Sequence, residues 1–208
     1  MKALHATFEL RLLLVATLVS SLIFLTTAAA QNSEAAFTMG GYFPRHINAR
    51  SNDVLAIQGN VSRRLYQVRA ASLHLELPVI GTFNSPVSAT KILNRQEFGT
   101  ASYSALFVAP GVRLGFFPQF RLSPFLAVGG GLARFDRANH SFPSTNTGVL
   151  DLGAGLNWRV SHHFGLRAEL RDLYSGAPQL ITGLTAREHQ LVAAGGIVLK
   201  FGGSAPTH

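Results

Sequence analysis

His74 and Glu76 stand two residues apart in "AASLHLELPV", a spacing that puts an imidazole and a carboxylate on one face of an extended chain. With a serine hydroxyl in hydrogen-bond reach, such a pair would supply the base and the orienting acid of a hydrolytic site. Serines occur in the stretch from 81 to 101, but nothing in the sequence brings one to His74. No residue is therefore expected to be catalytic, and His74 is read as a satisfied interior side chain. His162 and His163 are adjacent in a turn; neighbours in an extended segment point apart, so no metal site is expected. The other chemistry-bearing residues are single charges distributed along the chain: Glu76, Arg113, Asp151, Arg167, Glu169 and Arg171. They form no basic stripe or binding motif, so the net charge of +8 does not point to nucleic acid, and no cofactor is expected.

The elements that carry these residues read as strands. In "GVLDLGAGLNWRV", Leu150, Leu152, Ala154, Leu156 and Trp158 alternate with Asp151, Gly153, Gly155, Asn157 and Arg159. "GLRAELRDLY" sets Leu166, Ala168 and Leu170 against Arg167, Glu169 and Arg171. "AASLHLELPV", "VLAIQGNVS", "SYSALFVAPGVRLGFF" and "LVAAGGIVLKF" follow the same period, "AFTMGGYF" makes a short first strand, and "LSPFLAVGGGLARF" is small or apolar on both faces. Eight strands result.

Their connections alternate in length. "RRLYQ", "PQFRLS" and "VSHHF" are short, whereas residues 44–53, 81–101, 136–148 and 175–188 are long. Strict alternation puts the long connections at one end of the sheet and the short ones at the other, the layout of an antiparallel barrel with short periplasmic turns and long extracellular loops. The expected fold is thus all-β, an eight-stranded up-and-down transmembrane barrel spanning residues 31–201.

The N-terminus agrees with export. Lys2 and Arg11 supply a positive region ahead of an apolar run from Leu12 to Leu25, followed by Ala28-Ala29-Ala30, so residues 1–30 are expected to be a cleaved signal peptide. The apolar run is shorter than the ~20 residues a spanning helix needs. The chain has no cysteine, which excludes a disulfide framework and a lipid anchor through cysteine. Residues 202–208, "GGSAPTH", are expected to be a flexible tail.

A barrel in a bilayer needs aromatic girdles where apolar ring meets polar headgroup. Threading the strands assigns Phe37, Tyr66, Phe116, Phe120, Trp158, Phe164 and Phe201 to the short-turn girdle and Tyr42, Phe43, Tyr103, Phe135 and Tyr174 to the long-loop one. With the greasy faces toward lipid, the charged residues turn inward, where eight strands leave just enough room for side chains. Glu76, Asp151 and Glu169 are then expected to bridge Arg113, Arg167 and Arg171 and plug the lumen, since isolated buried charges are very costly. A solvated lumen with water between the charges is the other arrangement the pattern allows.

With these features the chain resembles the small eight-stranded outer-membrane barrels of the OmpA/OmpX type over residues 35–201, through "SPFLAVGGGLARF", "GVLDLGAGLN" and "LRAELRDLYSGAP". The resemblance implies a bacterial outer-membrane location, contact with lipid and lipopolysaccharide, and a monomer. It also implies that Phe201, with Leu191, Ile197 and Leu199, is read by the barrel-assembly machinery. Arg45, Arg50, Arg95 and Arg137 in the long connections are candidates for lipopolysaccharide phosphates. The role expected is structural or surface-interacting and non-enzymatic; the alternatives are a lipid A-modifying enzyme and a narrow channel or small-ligand carrier.

Overall fold

The computed structural model describes residues 33–45, 49–51, 53–90, 97–137, 144–176 and 187–201, so the expected signal peptide and tail lie outside the described residues. The described chain is all strand and turn: β1 (Ser33–Arg45), β2 (Ala49–Ser51), β3 (Val54–Gln67), β4 (Ala71–Thr90), β5 (Glu97–Val108), β6 (Gly111–Phe116), β7 (Leu122–Arg137), β8 (Thr145–Arg159), β9 (Phe164–Gly176) and β10 (Arg187–Phe201). Each pairs antiparallel with its neighbours, and β1 pairs with β10 from Ser33↔Phe201 to Arg45↔His189, which closes the sheet. β5 and β6 are one barrel strand interrupted at Ala109-Pro110, both lying between β4 and β7, and β2 is a short addition beside the far end of β4. The barrel is therefore eight-stranded, as expected.

The interruption has a local cause. Pro110 has no N–H for the ladder, while its carbonyl still accepts from Gly130 N at 3.1 Å. β7 meets this break with glycines: a Cβ at Gly129 would stand 2.7 Å from the Ala109 carbonyl oxygen, and one at Gly131 would collide with the Val108 carbonyl. The "GGG" run that obscures the period of this strand is what lets the backbones approach.

The wall is inverted relative to a soluble protein. Leu55, Leu75, Leu106, Leu126, Leu152, Leu170 and Ile197 point outward and are exposed, while Glu76, Arg113, Asp151, Arg167, Glu169 and Arg171 point inward and are buried. On β7 the outward apolar run from Leu122 to Leu132 spans ten residue steps; at about 3.3 Å per step and a tilt of ~40° this is roughly 25 Å, the height of a hydrocarbon core. No helix among the described residues is long and apolar enough to cross a membrane, and the backbone hydrogen bonds are closed within the sheet, which is the other solution a bilayer permits.

Two segments differ from the expected outline. β4 continues to Thr90 and pairs with β5 as far as Thr90↔Glu97, so most of the stretch from 81 to 101 is a hairpin projecting past the apolar wall rather than a loop. At the other end β3 runs through "RRLYQ" to Gln67 with a bulge between Arg64 and Tyr66, and the turn falls at residues 68–70, where Val68 N donates to Ala71 O at 2.8 Å.

Candidate functional site in the barrel lumen

Because side chains alternate across a strand, each wall strand contributes every second residue to the lumen, and the middle of the lumen is built around Arg171. Its guanidinium reaches three carboxylates on three strands: Nη1 donates to Asp151 Oδ2 at 2.5 Å, Nη2 to Glu76 Oε1 at 3.0 Å and Nε to Glu169 Oε2 at 3.1 Å. This uses the planar five-donor fork of arginine, which lysine lacks. The carboxylates are held further. Glu169 Oε1 accepts from Thr38 Oγ1 at 3.1 Å and Gln58 Nε2 at 3.0 Å, and Glu76 Oε2 accepts from Asn60 Nδ2 at 3.2 Å.

Toward the short turns a second group forms around Glu34. Arg113 Nη2 lies 2.5 Å from Glu34 Oε2, and Arg167 Nη2 lies 3.6 Å from the same oxygen. Arg113 Nε also stands 3.5 Å from Glu76 Oε2, joining the two groups, while Arg167 Nε donates to Asn157 Oδ1 at 2.8 Å. Both guanidinium groups lie over the ring of Phe125, at 5.4 Å for Arg113 and 5.1 Å for Arg167, in cation–π range. Glu76, Asp151, Glu169, Arg113, Arg167 and Arg171 thus meet in one lumen, with Arg167 facing Glu34 and Asn157. Glu34 and Phe125 are the members sequence reading missed. Glu34 shares its face with Ala36 but precedes the expected first strand, and Phe125 sits on the strand whose period its glycines hide.

His74 belongs to this network. Arg113 Nη2 donates to His74 Nδ1 at 3.2 Å, and His74 Nε2 lies 3.1 Å from Ser72 Oγ. A guanidinium only donates, so Nδ1 carries the lone pair and Nε2 the proton, which it directs at Ser72. A serine-activating histidine needs the opposite tautomer, with Nδ1–H on a carboxylate and a free Nε2. Glu76, two residues away, is bonded to Arg171 and Asn60 instead. No group of three or more metal-ligating side chains occurs among the described residues.

The half of the lumen nearest the long connections is mainly apolar, with Glu188, Gln190 and Ser175 buried in it. Tyr42, Tyr103, Phe107 and Phe135 are buried with Ile80, Val149, Leu173 and Val192. Phe107 packs edge-to-face on Phe135 at 5.7 Å, and Tyr103 on Phe135 at 5.9 Å. A polar chain crosses this cluster: Tyr42 Oη donates to Gln190 Oε1 at 2.7 Å, and Gln190 Nε2 to Ser175 Oγ at 3.0 Å.

This corrects the long-loop girdle. Tyr42 and Tyr103 are 0% exposed and Phe135 2%; they are lumen residues, because Tyr42 shares its face with Thr38, and Tyr103 with Ala105 and Phe107. Tyr174 does lie on the outer wall, its ring 4.8 Å from that of His189. Among the described side chains, the outer aromatics beside it at this end are Phe43, as expected, and the exposed Phe83, the latter missed because its segment reads as a loop. At the other end Phe37, Tyr66 and Trp158 are exposed on the outer wall with Phe201, and Phe116 and Phe164 are half-buried there. Leu191, Ile197 and Leu199 share the outward face of β10 with Phe201. The side chains of Arg45, Arg50, Arg95 and Arg137 lie outside the described residues.

No family model matches the chain, and no curated protein matches it in sequence. Solved structures do match. Neisserial surface protein A superposes with a TM-score of 0.51 at 13% identity, covering 81% of this chain and 97% of its own. The outer membrane protein OprG from Pseudomonas aeruginosa gives 0.51 at 13% identity, covering 82% and 96%. At this identity the likeness is one of fold: the chain folds as a small eight-stranded outer-membrane barrel.

Proposed function

We propose that the protein resides in a bacterial outer membrane, delivered by a cleaved signal at residues 1–30, and acts as a monomeric, non-enzymatic structural or surface-interaction barrel. The observation that carries this reading is the division of its faces. The outer wall is apolar across a membrane thickness, and the lumen is filled in its middle by the Arg171 ion cluster and beyond it by the Phe107 cluster. A lumen filled this way leaves no bore for diffusion, so contact with partners falls to the long-connection end, whose loops a rigid wall allows to vary. The tautomer imposed on His74 by Arg113 supports the absence of a serine hydrolase, and lipid together with lipopolysaccharide phosphate is the environment the outer face suits.

Two measurements on the full chain test this. An epitope placed in residues 177–186 should be labelled on intact cells, in protein recovered from the outer membrane whose gel mobility shifts on heating. The same protein in planar bilayers should show no steady conductance. Recovery as soluble periplasmic protein would reject the location, and stable single-channel steps would replace the structural role with transport.

A further inference from the structure

At the short-turn end the lumen opens into a cavity of about 720 Å³, within the ~300–1,000 Å³ of small-molecule sites. We infer that this mouth binds a small organic anion, one with a phosphate or carboxylate head beside a flat ring. The inference rests on the barrel fold and does not need the surface role proposed above.

Charge is the first support. Among the described residues Glu34 is the one carboxylate lining the cavity, against Arg113, Arg159 and Lys200. Its carboxylate is already engaged by Arg113 at 2.5 Å, with Arg167 at 3.6 Å and Lys200 only at 4.0 Å. Arg159 spends its Nη2 on the turn below, donating to the carbonyls of Gln119 and Phe120, contacts that fix the side chain without neutralising it. Of the acids deeper in the lumen, Asp151 and Glu169 face Arg171, Glu76 is shared between Arg171 and Arg113, and Glu188 is buried at the far end. Positive charge is therefore left in surplus at the mouth, and a cleft with low-dielectric walls focuses such a field.

Chemistry and shape narrow the ligand. Neutral side chains able to donate, Ser33, Ser72 and Asn157 among them, line the same cavity and suit oxyanion oxygens. Phe120 is exposed and contributes to the lining, which offers a ring face at the entrance to a space much larger than a bare phosphate fills. The cavity is blind, because the ion cluster and then Tyr42, Phe107 and Phe135 close the lumen beyond it. A ligand entering from the aqueous side of the short turns would be held there rather than passed through.

The test is isothermal titration of the refolded full-length barrel in neutral maltoside micelles, against protein-free micelles, with phenyl phosphate, inorganic phosphate and phenol. The expected result is saturable 1:1 binding of phenyl phosphate, weaker binding of inorganic phosphate and no saturation with phenol. The double variant Arg159→Gln/Lys200→Gln should weaken phenyl phosphate by about tenfold or more, on the scale of losing charge-assisted hydrogen bonds. Arg63→Gln/Arg121→Gln removes the same charge outside the cavity and should leave the affinity within about twofold, since screening limits distant charges. Absence of saturable phenyl phosphate binding overturns the proposal, as does equal weakening by both double variants or saturation by phenol. If the first double variant lacks the heat-dependent mobility shift of the folded barrel, Lys200→Gln alone is read against the same criteria.

Discussion

The half of the lumen near the long connections and the half toward the short turns are enclosed by the same strands, yet one is filled with rings and the other with ions. Tyr42, Phe107 and Phe135 fill the first by area and shape; Arg171, Asp151, Glu76 and Glu169 fill the second by directed charge-assisted hydrogen bonds. The difference teaches where each kind of packing is vulnerable. A ring cluster loses stability in proportion to the volume removed, whereas an ion cluster fails when one sign is removed, because the other is left buried and unpaired.

The largest effect is therefore expected at Arg171, which is 0% exposed and faces three carboxylates. Arg171→Met should cost about 3–5 kcal/mol in guanidinium unfolding of the vesicle-reconstituted barrel, the penalty for orphaning a buried charge. Adding Asp151→Asn and Glu169→Gln to that variant should restore much of the loss. A loss below about 1 kcal/mol would mean that water already solvates these carboxylates, and the contrast between the halves would dissolve.

The members of the ion cluster other than Glu34 were legible in the sequence, because a period of two fixes which residues share a face. Arg113, Asp151, Arg167, Glu169 and Arg171 could be sent inward from alternation alone, but which acid meets which arginine depends on register and side-chain reach across strands. That Arg171 rather than Arg113 gathers three carboxylates was for this reason not readable. Tyr42, Tyr103 and Phe135 show the converse error. Their height near the strand ends suggested a girdle, while the face of Tyr42, shared with Thr38, and that of Tyr103, shared with Ala105 and Phe107, already placed those two inside. The hairpin beyond Ile80 was hidden for a third reason: past the apolar wall both faces of a strand can be polar, so "FNSPVSAT" carries no alternation to read.

The ring cluster sets the second expected effect. Phe107→Ala should lose about 3 kcal/mol by the same unfolding measurement, while Phe107→Leu, which keeps most of the volume, should lose less than about 1.5 kcal/mol. If Phe107→Ala matched Phe107→Leu, the apolar half would be loose enough to collapse on the cavity. A smaller effect is expected where the two kinds of packing meet. Tyr42→Phe removes the donor to Gln190 Oε1, a 2.7 Å bond, and should cost about 1 kcal/mol; a cost near zero would show that the polar chain across the rings adds orientation and no stability.

The smallest effect sharpens the comparison by taking the same ion types out of the lumen. Arg134 Nε lies 3.0 Å from Asp136 Oδ2 on the outer wall, a separation like that between Arg171 Nη2 and Glu76 Oε1, but the Arg134 and Asp136 side chains are 41% and 51% exposed. Above the apolar band, water solvates both ions whether or not they touch, and the two side chains lose rotamer freedom by pairing. Arg134→Ala should therefore shift stability by less than about 0.5 kcal/mol, and the little it contributes should vanish at high salt. Equal losses at Arg134 and Arg171 would place the origin of the effect in arginine contacts generally. The expected several-fold gap assigns it to enclosure, so that the wall's exclusion of water, more than the distance between charges, makes the lumen cluster hold.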